Sequence, residues 1–242
     1  MVLRCGGCGV ERLWPPAHRQ DDSTEAYRWR MVEEARWRWF AEDTYRFLVA
    51  CVGEAPRSFL DVGCSTGATV GYFAERGWTA RGVDRDRRAV EYGRSLGRHL
   101  TCGTLESLDE QFDVVLLSHV FEHLLDPVLF LDAARPRLSP QGYLALVTPT
   151  YRSLPGWWYG TRWNGWDPGE HEWIYSRHTI QRLLSRTGFV PVTIRQRVHR
   201  GWPEPRWWSK AFWWKRAPLI AAMRLAGLAG MADGLYVLAR QR

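Results

Sequence analysis

The chain has 242 residues, 45% hydrophobic and 14% aromatic, which is enough apolar surface for one full domain with embellishments and excludes a disordered chain. Its formal charge of +7 is carried almost wholly by arginine, since Lys210 and Lys215 are the only lysines, and it favours acidic ligands or an anionic surface without choosing between them. No apolar stretch approaches the roughly 20 residues that span a bilayer, and the opening MVLRCGGCGV lacks the long apolar run of a secretory signal, so a cytoplasmic protein is expected.

The five cysteines are irregularly spaced and form no disulfide framework. Cys5-x2-Cys8 looks like one knuckle of a zinc ribbon, but a structural zinc needs four ligands and only half a site is present, with His18 a weak third candidate. Residues 1–23 are therefore read as a half-zinc-ribbon-like segment ahead of a domain over 24–242, and no metal is assigned. Residues 24–51 carry apolar and aromatic residues at helical spacing.

From there, short apolar runs recur: SFLDVG at 58, TARGVD at 79, HLTCGT at 99, FDVVLLS at 112 and GYLALVTP at 142. Helical segments lie between them, around 68–77, 86–96 and 127–137. This alternation predicts an α/β fold, a doubly wound and mainly parallel sheet covered on both faces. SRHTIQRLLSRTGF (176–189) reads as a helix closed by Gly188, followed by a strand, VPVTIRQRV. GLYVLARQ reads as one more strand, leaving 199–233 as a Trp-rich basic insertion.

FLDVGCSTG brings an Asp to the tip of a buried strand and then a glycine-bounded turn, the place where open α/β sheets bind ligands. Glycines there let a ligand approach the backbone, and the following helix offers free N–H groups. The turn has neither the GxGxxG spacing of a dinucleotide site nor the Lys-Ser/Thr of a P-loop. Asp61 would repel a pyrophosphate and suits an ammonium group. Asp84, ending GVD, offers two oxygens to the vicinal hydroxyls of a ribose. Ribose and ammonium without phosphate point to S-adenosylmethionine.

LDVGCSTG, GVDRD, GTLESL, FDVVLLSHVFEHLLDP, QGYLALVTPT and HEWIYSRHTIQRLLSRTGF, in that order, resemble the class I S-adenosylmethionine-dependent methyltransferases, with the ubiquinone-type and glycan-cluster enzymes nearest, across roughly residues 4–241. The resemblance implies a Rossmann-like seven-stranded sheet with an antiparallel last strand and helical insertions lidding the acceptor. It assigns Asp61, Gly63, Cys64, Ser65 and Gly67 to the methionine and ribose end of the cofactor, Asp84 to the ribose hydroxyls, Arg85 to the side of the adenine, and Ser118 to the cofactor pocket. Thr104 and Leu105 fall where the family usually has an acidic residue and a small one, and Ser65 replaces a more usual glycine.

For catalysis, His119, Glu122 and His123 follow the fourth strand, and a helical stretch there would place all three on one face. Three readings stand: a histidine acts as base toward the acceptor, the three hold a divalent ion as the resemblance to ubiquinone-type enzymes allows, or Glu122 and His123 only tie the loop to the fold. His171, after the fifth strand, is a second candidate base, with capping of the next helix as the alternative. The Trp-rich stretches suit a lipid interface, stacking on sugars or ordinary packing, with nucleic acid an unfavoured partner. The expectation is a methyltransferase, cytoplasmic and at most membrane-peripheral through 199–233, acting on a small-molecule, glycan or lipid-linked acceptor at oxygen. Methylation at carbon or nitrogen, and an inactive cofactor-binding accessory protein, are the alternatives.

Overall fold

Alternating side chains on each strand divide the interior of the computed structural model, which describes residues 2–6, 9–13, 34–160, 163–166, 171–197, 225 and 229–242. From residue 58 onward come five strands and three helices: β3 (Ser58–Val62), α2 (Ala68–Ala74), β4 (Thr79–Asp84), α3 (Arg87–Ser95), β5 (Leu100–Cys102), β6 (Phe112–Ser118), α4 (Pro127–Ala134) and β7 (Leu138–Pro149). After them come α5 (Leu154–Tyr159), α6 (Arg177–Arg186), β9 (Phe189–Arg197) and β10 (Gly234–Gln241). They build a seven-stranded sheet in the order β5-β4-β3-β6-β7-β10-β9, with β10 antiparallel to both neighbours.

Both faces of this sheet are buried, as a doubly wound fold requires. Leu60, Val115, Leu117, Leu144 and Val237 face one side, against Leu131 of α4 and Ile180 and Leu184 of α6. Phe59, Val114, Leu116, Ala145 and Leu238 face the other, against Val70 and Phe73 of α2, Val90 of α3, and Phe47 and Leu48 of α1 (Glu34–Val52). Removing such side chains from water is the main favourable term in the fold.

Local chemistry sets the helix starts. The Asp86 carboxylate accepts from the Arg88 and Ala89 N–H groups at α3, and Asp126 does the same for Val128 and Leu129 at α4, where Pro127 opens the helix. Ser176 and Thr179 form a reciprocal capping box at α6, and Gly188, at φ +77°, closes that helix.

A second sheet is not suggested by the sequence pattern. β1 (Val2–Arg4) and β2 (Glu11–Leu13) form an antiparallel hairpin whose second strand pairs with β8 (Trp173–Ile174), Glu11 opposite Ile174 and Arg12 opposite Trp173. Val10 is buried in the same cluster as Leu60 and Val115. The described part of residues 1–23 therefore packs on the domain that follows it. Cys5 is exposed in the hairpin turn, while Cys8, His18, residues 24–33 and all of 199–233 except 225 and 229–233 lie outside the described residues. No described helix is long and apolar enough to cross a membrane.

Close packing beneath the strand ends yields a test. A Cβ at Gly93 of α3 would lie 2.3 Å from the Thr66 carbonyl oxygen and 2.3 Å from Leu100 Cδ1. Gly93→Ala is expected to lower stability by about 1–3 kcal/mol, the usual cost of overpacking, in urea unfolding. An unchanged midpoint would show that α3 can move away from the turn.

Candidate active site

The carboxyl end of β3 runs into a turn made by backbone that few residues adopt. Gly63 has φ +73°, and a Cβ there would lie 2.5 Å from Val120 Cγ2, so only glycine fits. Its N–H and that of Cys64 donate to the Val83 carbonyl of the neighbouring strand, at 2.8 and 3.2 Å. Ser65 follows at φ +51° and Gly67 at φ +76°. The left-handed backbone explains why a glycine would suit position 65: a side chain there costs roughly 1–2 kcal/mol.

Asp84 holds this turn. Its Oδ2 accepts from the Ser65 N–H at 2.6 Å and its Oδ1 from the Asp86 N–H at 2.8 Å, leaving further lone pairs on both oxygens for a diol. Asp61, only 4% exposed, is pushed up to about 8, first by burial and then by the charge of Asp84, against a hydrogen bond from Thr69. A buried carboxyl so placed is ionised most readily beside a cation.

Cys64 is buried and its thiol is pushed well up by burial, which makes it a packing residue rather than a nucleophile. Arg85 is exposed, Ser118 half-buried at the end of β6, Thr104 half-buried and Leu105 packed in the core. Sequence reasoning passed over Glu106, whose carboxyl is held low by a hydrogen bond from Thr104. It is the middle residue of the short turn Leu105–Ser107, so an acid does stand two residues after Thr104, on the solvent side.

A second cluster, after β6, centres on Glu122. Residues 121–123 form a single 3-10 turn rather than a longer helix, and His119 enters it with φ +57° while its N–H donates to Val147 O at 2.8 Å. His119 and Ser65 are the non-glycine residues with positive φ among the described ones, and they sit at the ends of adjacent strands. Strain of this kind collects at functional sites.

His119 Nδ1 lies 3.2 Å from Glu122 Oε1. Glu122 is fully buried; burial alone would raise its carboxyl, but the His119 hydrogen bond and the charges of His119, His123 and His171 outweigh burial and hold it down to about 2. Its second oxygen has no hydrogen-bond partner among the described residues.

The helical face considered for His119, Glu122 and His123 is replaced by a single short turn, and both histidines still lie close to Glu122. His119 pairs with Glu122, whereas His123 turns toward His171, their rings 4.8 Å apart. Glu122, His123 and His171 each offer a ligand atom within 4.8 Å of the others, so these are the residues that could hold a divalent ion. His171 is half-buried, with Nδ1 2.9 Å from Gly165 O. A carbonyl only accepts, so Nδ1 carries the proton and the Nε2 lone pair faces away from that bond.

With the fold and site in place, the sequence matches a family model described as "Methyltransferase domain" over residues 31–194. It is 29% identical over 150 residues to a ubiquinone biosynthesis O-methyltransferase of Dinoroseobacter shibae, and 30% identical over 150 residues to that of Roseobacter denitrificans. Both alignments cover 55% of this chain and 60% of the relative, so the chain spans less than two thirds of those proteins. The fold is similar to an SAM-dependent methyltransferase from Archaeoglobus fulgidus (TM-score 0.61, 19% identity, covering 88% of this chain and 99% of the other). It is likewise similar to the plantazolicin methyltransferase BpumL solved with SAH (TM-score 0.61, 17% identity, 92% of each chain).

The raised carboxyl of Asp61 has a consequence for pH. Between about pH 4 and 8 the folded protein keeps a proton that the unfolded chain has released, so this group's contribution to the stability of the ligand-free protein falls as pH rises through that window. Urea unfolding across that range is expected to show a flatter pH dependence for Asp61→Asn than for wild type. Equal slopes would mean that Asp61 is ionised throughout.

Proposed function

The chain belongs to the methyltransferase-domain family, and on that premise we propose that it methylates a hydroxyl of a small-molecule acceptor, using S-adenosylmethionine. When bound, that cofactor supplies a methyl group on a sulfonium leaving group. The residues fit it: the buried carboxyl of Asp61 calls for a cation such as its ammonium, and Asp84 keeps lone pairs for ribose hydroxyls.

The observation that carries the choice of oxygen is the pinned tautomer of His171. With Nδ1–H given to Gly165 O, Nε2 is left to accept the proton of an acceptor hydroxyl as that oxygen takes the methyl group. His123 stands beside it, and Glu122 supplies the buried negative charge that would stabilise an imidazolium. Holding acceptor and methyl carbon in line supplies the larger part of the rate. The O-methyltransferases among its relatives support the same atom.

Trp157 and Trp158, 76% and 69% exposed on α5, and the stacked pair Tyr151 and Trp166 offer aromatic faces near the end of β7. Such faces suit a ring-bearing acceptor, a phenol or a sugar, including one carried on a lipid. A second reading is favoured by the unpaired oxygen of Glu122: a divalent ion on Glu122, His123 and His171 would orient two neighbouring hydroxyls of the acceptor.

His171→Asn is expected to lower kcat about 10²–10⁴-fold, the range for a general base, while calorimetry gives unchanged S-adenosylmethionine affinity. Asp84→Ala is expected to abolish that affinity. Both are read with labelled cofactor against a panel of phenolic and sugar acceptors. Full turnover by His171→Asn on any acceptor would remove it as the base, and tight binding without turnover on every acceptor would favour an accessory protein.

A further inference from the structure

Two strips of chain on either side of His171 are held by the same amino-terminal hairpin. On one side, the Tyr151 hydroxyl donates to Glu11 Oε1 at 2.8 Å, and the Tyr151 ring stacks on Trp166 at 5.6 Å. Trp166 adjoins Gly165, whose carbonyl fixes the His171 tautomer. On the other side, Arg12 Nη2 lies 3.2 Å from Glu172 Oε2, and its guanidinium sits 5.0 Å over the Trp173 ring.

Glu172 and Trp173 in turn anchor the Glu122 turn. The Glu172 N–H donates to the Glu122 carbonyl at 2.9 Å, and Trp173 Nε1 donates to Leu124 O at 2.7 Å. Glu172 is 3% exposed, so its charge depends on Arg12 for compensation. None of these contacts reaches the turn after β3 or the end of β4.

We propose that the hairpin is a strap for the acceptor side, with Glu11 and Arg12 as positioning residues that set the tautomer and orientation of His171. The inference rests on His171 being the acceptor-side base. It gives the amino-terminal segment a role that needs no zinc at Cys5 and Cys8. The main-chain pairing of β2 with β8 brings the strap to the site, and the two side chains lock each flank of the histidine.

The test uses the full chain with 15N-labelled histidine and bound S-adenosylhomocysteine, the His171 signals being identified by their loss in His171→Asn. In wild type the protonated ring nitrogen is Nδ1. In the double variant Glu11→Ala, Arg12→Ala the ratio of Nδ1–H to Nε2–H forms is expected to fall about fivefold, the worth of one hydrogen bond. Arg12→Lys alone should keep most of the wild-type ratio, and calorimetric affinity for S-adenosylhomocysteine should be unchanged in each. A wild-type ratio in the folded double variant overturns the proposal, as does a parallel loss of cofactor affinity. Should the double variant not fold, Tyr151→Phe, which removes only the hydroxyl bonded to Glu11, is read in the same way. Because the readout needs no acceptor, it stands apart from the turnover of His171→Asn, which alone decides whether His171 is the base.

Discussion

A parallel sheet buried on both faces leaves the chain little freedom where its strands end. Each strand must turn sharply there, and the N–H groups it exposes must be paired sideways, because unpaired buried donors are costly. At the end of β3, Gly63 and Cys64 give theirs to Val83, and Ser65 gives its own to Asp84. Next to it, at the end of β6, His119 donates to Val147. Farther out, Glu172 donates to the carbonyl of Glu122. Ser65 and His119 take left-handed backbone to make these turns, so the strain of the fold collects where a ligand would be handled.

The two halves of the site use buried carboxyls in opposite ways. Among the described residues no cation offsets the burial of Asp61, which is pushed toward its neutral form. Glu122 is already compensated by imidazoles and stays ionised. One carboxyl is therefore left without charge compensation among the described residues, while the other carries its own. The sheet keeps these two carboxyls on neighbouring strand ends, β3 and the turn after β6, without letting them share a partner.

Much of this was legible from the chain. The strand over 234–241 agrees residue for residue with the sequence pattern, and the helical segments read at 86–96, 127–137 and 176–189 each contain the helix that forms there. Asp61 and Asp84 stand out in the sequence as carboxylates at the tips of apolar runs, and the structure places both at strand ends, Asp84 bonded to the Ser65 and Asp86 N–H groups. Ser65 read as a departure from glycine, and the structure supplies the physical content: its backbone is left-handed. His123 was grouped with His119 and Glu122 through helical spacing; the turn is too short for that period, yet His123 lies near Glu122 and also meets His171, which no local pattern places there.

The sequence by itself determined the strand and helix alternation, the carboxylate-tipped strands and the glycine turn, because each depends on patterns a few residues long. Only the tertiary structure decided the partners of the Glu122 cluster. Glu122 and His171 lie far apart in the chain, and Glu11 and Tyr151 farther still; they meet because β8 docks on the hairpin while the Glu122 turn holds the strip before it. A two-residue strand such as Trp173–Ile174 carries no period to read, and its place is set by a partner it finds only after folding.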